Sequence, residues 1–382
     1  MNRSLVIANL AICLGLLAVG LWPFRFFPEN NVKWLPDQTG ISLGGGGILF
    51  SPKFLTVENG NSRPSREDAV TLEIWAEALS EPHNVAHILS FYGRRDEEKF
   101  FIGQWNSLLL LQAKNSVEAS APSRKLGVTD GLPINQARVL TITSSVAGTA
   151  LYLDGQLRDS SSHQFLNSDS LSGRIVLGDS DTANNRWKGN LFGLAVYDHA
   201  LNPREVSGHY RYWKTGSSSA LAREEGIRAL YPFDDRTGDR LRDSMGRQND
   251  IVIPPYFGAL KKEILVPPWD EHFPNWHDIA KNVAGFVPLG LLLFALFRNM
   301  GRYSLRRCVV QTILIGALIS LTIELVQVYL PDRSSSLTDL VANTFGTAVG
   351  FVVYAFSYQL FRRISGLARV GFTQPDSSSG QV

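Results

Sequence analysis

Cysteine is nearly absent. The 382 residues contain two, Cys13 and Cys308, and both lie inside apolar runs. That excludes a disulfide framework and a cysteine-based zinc site. Charge of one sign is lacking too: 37 Lys and Arg stand against 35 Asp and Glu, a formal net charge of +2, so no nucleic acid or other polyanion is marked as a partner. The middle of the chain, from about residue 40 to 253, has no apolar run long enough to cross a membrane. Such runs occupy only the two ends, and a mean hydropathy near zero averages these unlike parts.

What the middle does contain is short alternating strands set apart by turn residues, the pattern of an all-β sandwich. In VTLEIWAE, Val70, Leu72, Ile74 and Ala76 fall on one face, which is expected to face the core. Similar strands are expected at 138–144, 149–153, 173–177 and 191–197. Asp154-Gly155 is a hairpin signal, because its glycine tolerates positive φ. One short helix is expected after Leu201, with Asn202 as cap, Pro203 in the first turn and Glu205 completing a capping box.

These segments, with ALYLDGQL, GNLFGLAVYDHALNPREV and LYPFDDRTGDRLRDSMG, resemble the concanavalin A-like, laminin G-type jelly roll. The resemblance implies a domain that binds glycans or proteins; some of its members are hydrolases. A retaining glycosidase needs paired carboxylates on one strand face. The nearest pair, Glu73 and Glu77 flanking Trp75, is placed on a solvated face, and no enzyme signature is legible. Asp179 and Asp181, with Asn184, are candidate calcium ligands in a rim loop, although Asp and Asn also favour ordinary turns. No other cofactor is indicated. Trp105 and Trp187 are candidate platforms for sugar faces, with core or edge packing as the competing reading.

The apolar ends read as membrane helices. Residues 5–22 continue past the passable cleavage site Ala18-Val19-Gly20, so an uncleaved anchor is expected in place of a signal peptide. Residues 308–330 and 337–360 are each long enough to cross the ~30 Å hydrocarbon core. A further helix is expected from Asp278, kinked at Pro288. Before it, Trp269, Phe273 and Trp276 form an interfacial aromatic belt, with His272 and His277 as interfacial polar residues.

Polar residues inside these helices are costly unless they face protein and find partners. Glu324 and Gln327 lie three apart, Asp339 and Asn343 four apart, and Asp278 and Asn282 four apart, so each pair shares a helix face. Gly316 and Ser320 continue the first stripe and Gly346 and Gly350 the second, which suits close helix packing. This run with Arg333, together with DIAKNVAGFVPLG carrying Asp278, Asn282, Pro288 and Gly290, resembles the VanZ-like membrane proteins of bacteria. The resemblance implies four helices and, for the founding member, an association with glycopeptide-antibiotic tolerance. It implies no known reaction.

The organisation expected is therefore a first transmembrane helix (1–24), a β-sandwich (40–258), a linker (259–277), a VanZ-like unit with three helices (278–362) and a tail (363–382). Arg298, Arg302, Arg306 and Arg307, and Arg362, Arg363 and Arg369, set the cytoplasmic sides. Both termini are then cytoplasmic, and the sandwich and the Arg333 loop lie outside a bacterial plasma or inner membrane. Asp278, Asn282, Glu324, Gln327, Arg333, Asp339 and Asn343 then converge on one outward-facing polar pocket. Three functions stay open: an envelope protein presenting a binding domain for a glycan or protein, an intramembrane enzyme or carrier acting on a lipid-linked glycan through Glu324, Arg333 and Asp339, or a secreted-type lectin for which the helices are anchors alone, which leaves the buried polar residues without purpose.

Overall fold

The computed structural model describes residues 3–57, 68–113, 124–216, 218–268, 276–301, 303–331 and 333–370. Trp269, His272, Phe273, Arg302 and the polar tail after 370 lie outside them. Two compact units are present: Phe27–Lys261, and Met1–Phe26 together with Lys262–Val382. The described α-helices are α1 (Arg3–Gly20), α2 (Pro203–Lys214), α3 (Trp276–Asn299), α4 (Leu305–Gln327) and α5 (Leu337–Val370).

Phe27–Lys261 is a sandwich of two antiparallel sheets. One runs Val32–Trp34, Ile41–Gly44, Lys188–Tyr197, Val70–Ala78, Arg138–Ser145, Gly148–Leu153, Gln156–Ser161, and Ile227–Tyr231 pairs with Lys188–Tyr197 off that path. The other runs Arg240–Leu241, Ile251–Val252, Leu49–Phe50, Arg174–Leu177, Ala86–Tyr92, Glu98–Trp105, Leu108–Ala113, Arg124–Val128. Leu72, Ile74, Ile102, Ile142, Leu151 and Leu194 meet in the core between them. Asp154 and Gly155 both take positive φ, 52° and 75°, as the tight hairpin requires.

One expectation fails because the outer face of a sheet is not always wet. Glu73 is not on a solvated face but fully buried, because α2 lies over that face with Val206, His209 and Trp213. Its carboxylate accepts from Trp213 Nε1 (3.1 Å), Tyr197 OH (3.3 Å) and Thr141 Oγ1 (3.3 Å) and faces His209 Nδ1 (3.3 Å). Glu77 takes a bond from Asn190 Nδ2 (2.7 Å). Trp187 is 1% exposed, with its indole N–H donated to Gln104 Oε1 (2.7 Å), so it is core and offers no sugar platform. Trp105 is 49% exposed, and its N–H to the His83 carbonyl (3.0 Å) fixes the ring.

α2 starts as its capping box dictates: the Asn202 side chain accepts from Arg204 N and Glu205 N, and Glu205 returns a bond to Asn202 N. The sandwich unit runs from Phe27 to Lys261. Asn30 N donates to the Pro255 carbonyl (3.3 Å), Phe257 N donates to the Pro28 carbonyl (2.9 Å), and Glu29 bridges Tyr256, so the unit's first and last segments run side by side.

In the helical unit, α1, α3, α4 and α5 each carry a span long and apolar enough to cross a membrane. α3 starts two residues before Asp278 and runs through Pro288. α4 starts at Leu305, capped by Ser304, and ends at Gln327 instead of Leu330. α5 continues ten residues past Leu360. α3 packs on α5 through glycine: a Cβ on Gly290 would overlap the Thr347 carbonyl oxygen, one on Gly346 that of Val283, and one on Gly350 that of Val287. A Cβ on Gly316 would run into the Thr347 side chain, which brings α4 against α5. Asn9, unremarked in the sequence, donates Nδ2 to the Leu292 carbonyl (3.1 Å) and ties α1 to α3. Leu314, Leu318, Phe345, Val352 and Phe356 are exposed, as lipid-facing residues are.

Candidate functional site: a polar cavity among the helices

The C-terminal ends of α1 and α4 and the N-terminal ends of α3 and α5 surround a cavity of about 470 Å³. Asp278, Asn282, Glu324, Gln327, Arg333, Asp339 and Asn343 all line it. Alternating helix direction is what puts two helix ends and two helix beginnings at one place. Lys281 and Ser334 join the polar lining, and Leu16, Val19, Phe286 and Ile323 make it partly apolar. Lys281 is one turn beyond Asp278, a spacing that could have marked it, and its Nζ meets Asp278 Oδ1 at 3.0 Å.

Most of these side chains also hold the bundle together. Glu324 is 1% exposed, and its Oε2 accepts the main-chain N–H of Ser336 (2.8 Å) just before α5. Ser336 Oγ in turn accepts Asp339 N (3.2 Å), as a helix cap does. Gln327 Nε2 donates to the Gly20 carbonyl (2.8 Å), and Arg333 Nε and Nη2 donate to the Trp22 carbonyl (3.2 and 3.1 Å). These serve carbonyls at the end of α1, where intrahelical donors run out. Asn343 Nδ2 donates to Ser320 Oγ (3.0 Å) across α4 and α5. The entering chain is fixed by pairing with the loop before α5: Val266 N and Leu265 N donate to the carbonyl and Oγ of Ser335 (2.9 and 3.1 Å).

Two polar atoms are left over. Gln327 Oε1 and Asn343 Oδ1 are buried with no hydrogen-bond partner, on residues 8% and 4% exposed. A buried acceptor without a donor costs about 1–3 kcal/mol.

In the sandwich, Asp179 and Asp181 sit in the loop after Arg174–Leu177. Asp179 is fully buried; Oδ1 accepts Ser180 N (2.7 Å) and Asn185 N (2.8 Å), and Oδ2 has no partner. The Asp181 carbonyl accepts Leu260 N (2.7 Å) and Lys261 N (2.9 Å). Among the described residues no group of three His, Cys, Asp or Glu is assembled. Burial pushes the Asp179 carboxyl up to about 6, against the two N–H bonds that favour its charge. A carboxyl raised in the folded state binds a proton there that the unfolded chain has released, so its contribution to stability falls as pH rises from about 4 to about 6. Asp179→Asn should remove that fall and raise stability at pH 8; a urea midpoint with unchanged pH dependence would contradict it.

Residues 228–361 match the family model VanZ/LLP1, and residues 54–207 match that of the concanavalin A-like lectin/glucanases superfamily. The chain joins a VanZ-like segment to a concanavalin A-like domain. The VanZ-type match begins inside the sandwich, at its strand Ile227–Tyr231. No curated protein matches the chain. Among solved structures, the receptor binding domain of botulinum neurotoxin D aligns at 14% identity and TM-score 0.36, over 48% of this chain and 46% of that one. The serotype D ligand binding domain in complex with N-acetylneuraminic acid aligns at 14% and 0.36, over 48% and 45%. A Bacteroides ovatus protein taken to bind carbohydrate aligns at 13% and 0.38, over 59% and 63%. The chain thus spans less than half of the toxin domains it matches.

Proposed function

We propose that this VanZ-like protein is a multi-pass protein of a bacterial plasma or inner membrane, with both termini cytoplasmic and a glycan- or protein-binding sandwich on the extracytoplasmic side. Its role is in the cell envelope and extends to antibiotic tolerance, as the VanZ resemblance suggests. The observation that carries a ligand-handling role is the gathering of seven polar side chains on one cavity. Arg333 retains guanidinium donors beyond the two on Trp22 and can hold an anionic group at the mouth. Glu324 and Asp339 supply acceptors. The same observation favours the second reading, a carrier or enzyme acting on a lipid-linked glycan. In the sandwich, the fixed and exposed Trp105 ring is the surface we assign to a sugar.

Glu324→Gln tests whether the cavity takes part in function. Gln keeps an oxygen for Ser336 N, so insertion and melting should hold, whereas glycopeptide tolerance conferred on a sensitive host should drop to the empty-vector level. Undiminished tolerance would leave the cavity without a part in it. Side of membrane is tested in a Cys13- and Cys308-free background with single cysteines at the exposed Ser160, Ser334 and Ser304. An impermeant thiol reagent should label the first two in intact cells and spare the third; labelling of Ser304→Cys alone would invert the topology. Calcium at Asp179 and Asp181 remains a proposal, motivated by the unpartnered Asp179 Oδ2. Its further oxygens would come from main-chain carbonyls and water.

A further inference from the structure

We propose that the cavity takes a sugar ring, whose hydroxyls donate to Gln327 Oε1 and Asn343 Oδ1. This rests on the cavity being a ligand site and names the chemistry it reads. The two amide oxygens are acceptors, not donors, so they call for a ligand rich in O–H or N–H groups. The Gln327 amide is oriented by the protein, since one of its N–H groups goes to Gly20, a carbonyl that only accepts, and Asn343 Nδ2 donates to the Ser320 hydroxyl. A phosphate would meet the wrong partners at this depth, because both oxygens would repel it.

The rest of the lining selects among donors. A small ammonium group would leave most of a 470 Å³ cavity unfilled and would gain nothing from Leu16, Val19, Phe286 and Ile323. A pyranose has hydroxyls at its edge and C–H faces above and below, which matches amide oxygens beside an aromatic and aliphatic wall. The anion site at Arg333 is separate from this inference, since Arg333 lies at the exposed mouth while Gln327 and Asn343 are buried.

The test uses the full chain in nanodiscs of phosphatidylethanolamine and phosphatidylglycerol, doped with glucosyl diacylglycerol, plain diacylglycerol or undecaprenyl phosphate. Native mass spectrometry reads which lipid stays bound. Wild type should hold the glucosyl lipid over plain diacylglycerol. Asn343→Leu should cut that retention about tenfold, the worth of one good hydrogen bond. Ser320→Ala removes the same side chain's tether but not its oxygen, and should retain the lipid. Gln327→Met removes the other oxygen at nearly constant volume and gives the same readout if Asn343→Leu does not fold. Displacement by excess maltose also supports the proposal and assigns the cavity to free sugar as well as lipid-borne sugar. Equal retention of glucosyl and plain diacylglycerol, or full retention by both amide variants, overturns it. If undecaprenyl phosphate alone is held and lost in Arg333→Gln, the sugar inference fails while the ligand-site reading stands. If no lipid is held, both fail.

Discussion

Glu73→Ala should cost the sandwich about 3–5 kcal/mol, the range found when one partner of a buried ion pair is removed. The carboxylate is the only group that answers Thr141, Tyr197, His209 and Trp213 at once among the bonds described there. Its loss strands a tyrosine hydroxyl, an indole N–H and an imidazole under α2. The helix is thus fastened to the sheet by a polar bolt as much as by Val206. Pulse proteolysis of the full chain in detergent across a urea series, following the 27–261 fragment, should show the midpoint fall sharply; a midpoint within error of wild type would mean the four groups find other partners. The pH dependence adds a second readout. Burial works against a charged His209, but the hydrogen bond to Glu73 and its charge outweigh it and raise the imidazole above its usual value. The stabilisation is therefore complete below about pH 6.5 and is lost as pH rises through the folded value. Glu73→Ala should abolish that slope.

Gly350→Leu should have a comparable effect on the helical unit. Its Cβ would overlap the Val287 carbonyl and press on Leu291 N and Gly290 Cα, all backbone atoms of α3 that cannot rotate away. Overpacking in a tight core costs ~1–3 kcal/mol even where side chains can yield, and here α3 and α5 must part. Loss of the monodisperse peak in detergent gel filtration, with normal amounts in the membrane, is the expected result. Gly208→Leu is the control: nothing lies within 4 Å of its Cβ, and it should leave the peak unchanged. A Gly350→Leu protein that remains monodisperse with wild-type melting would show that the two helices are not in backbone contact.

Patterns that depend on local spacing were legible in the chain itself. The Val70–Ala78 alternation, the Asp154-Gly155 turn and the Asn202 capping box each rest on residues close in sequence. The polar stripes on α3, α4 and α5 could be read because helical spacing puts them on one face, and four antiparallel helices leave few ways to arrange those faces. What could not be read were partners supplied from far away. Glu73 alternates as an outward residue should, and only α2, some 130 residues later, buries it. Trp187 is assigned to the core by Gln104, and Arg333 is occupied in part by a main-chain carbonyl of Trp22, which no side-chain pattern encodes. The strand Val32–Trp34 is too short and too mixed in polarity to announce itself before it pairs with Ile41–Gly44.

The side-by-side run of Pro28–Asn30 and Pro255–Phe257 has a consequence for how such a chain can arise and be engineered. A module whose two ends meet can be dropped into a loop without prying apart what flanks it. The sandwich is thus an exchangeable cassette: cutting at Phe26 and Lys262 and closing the gap with a short flexible linker should leave a four-helix protein, and the excised piece should fold with its ends already joined by hydrogen bonds. The sandwich and the helices can then change as separate parts of one gene.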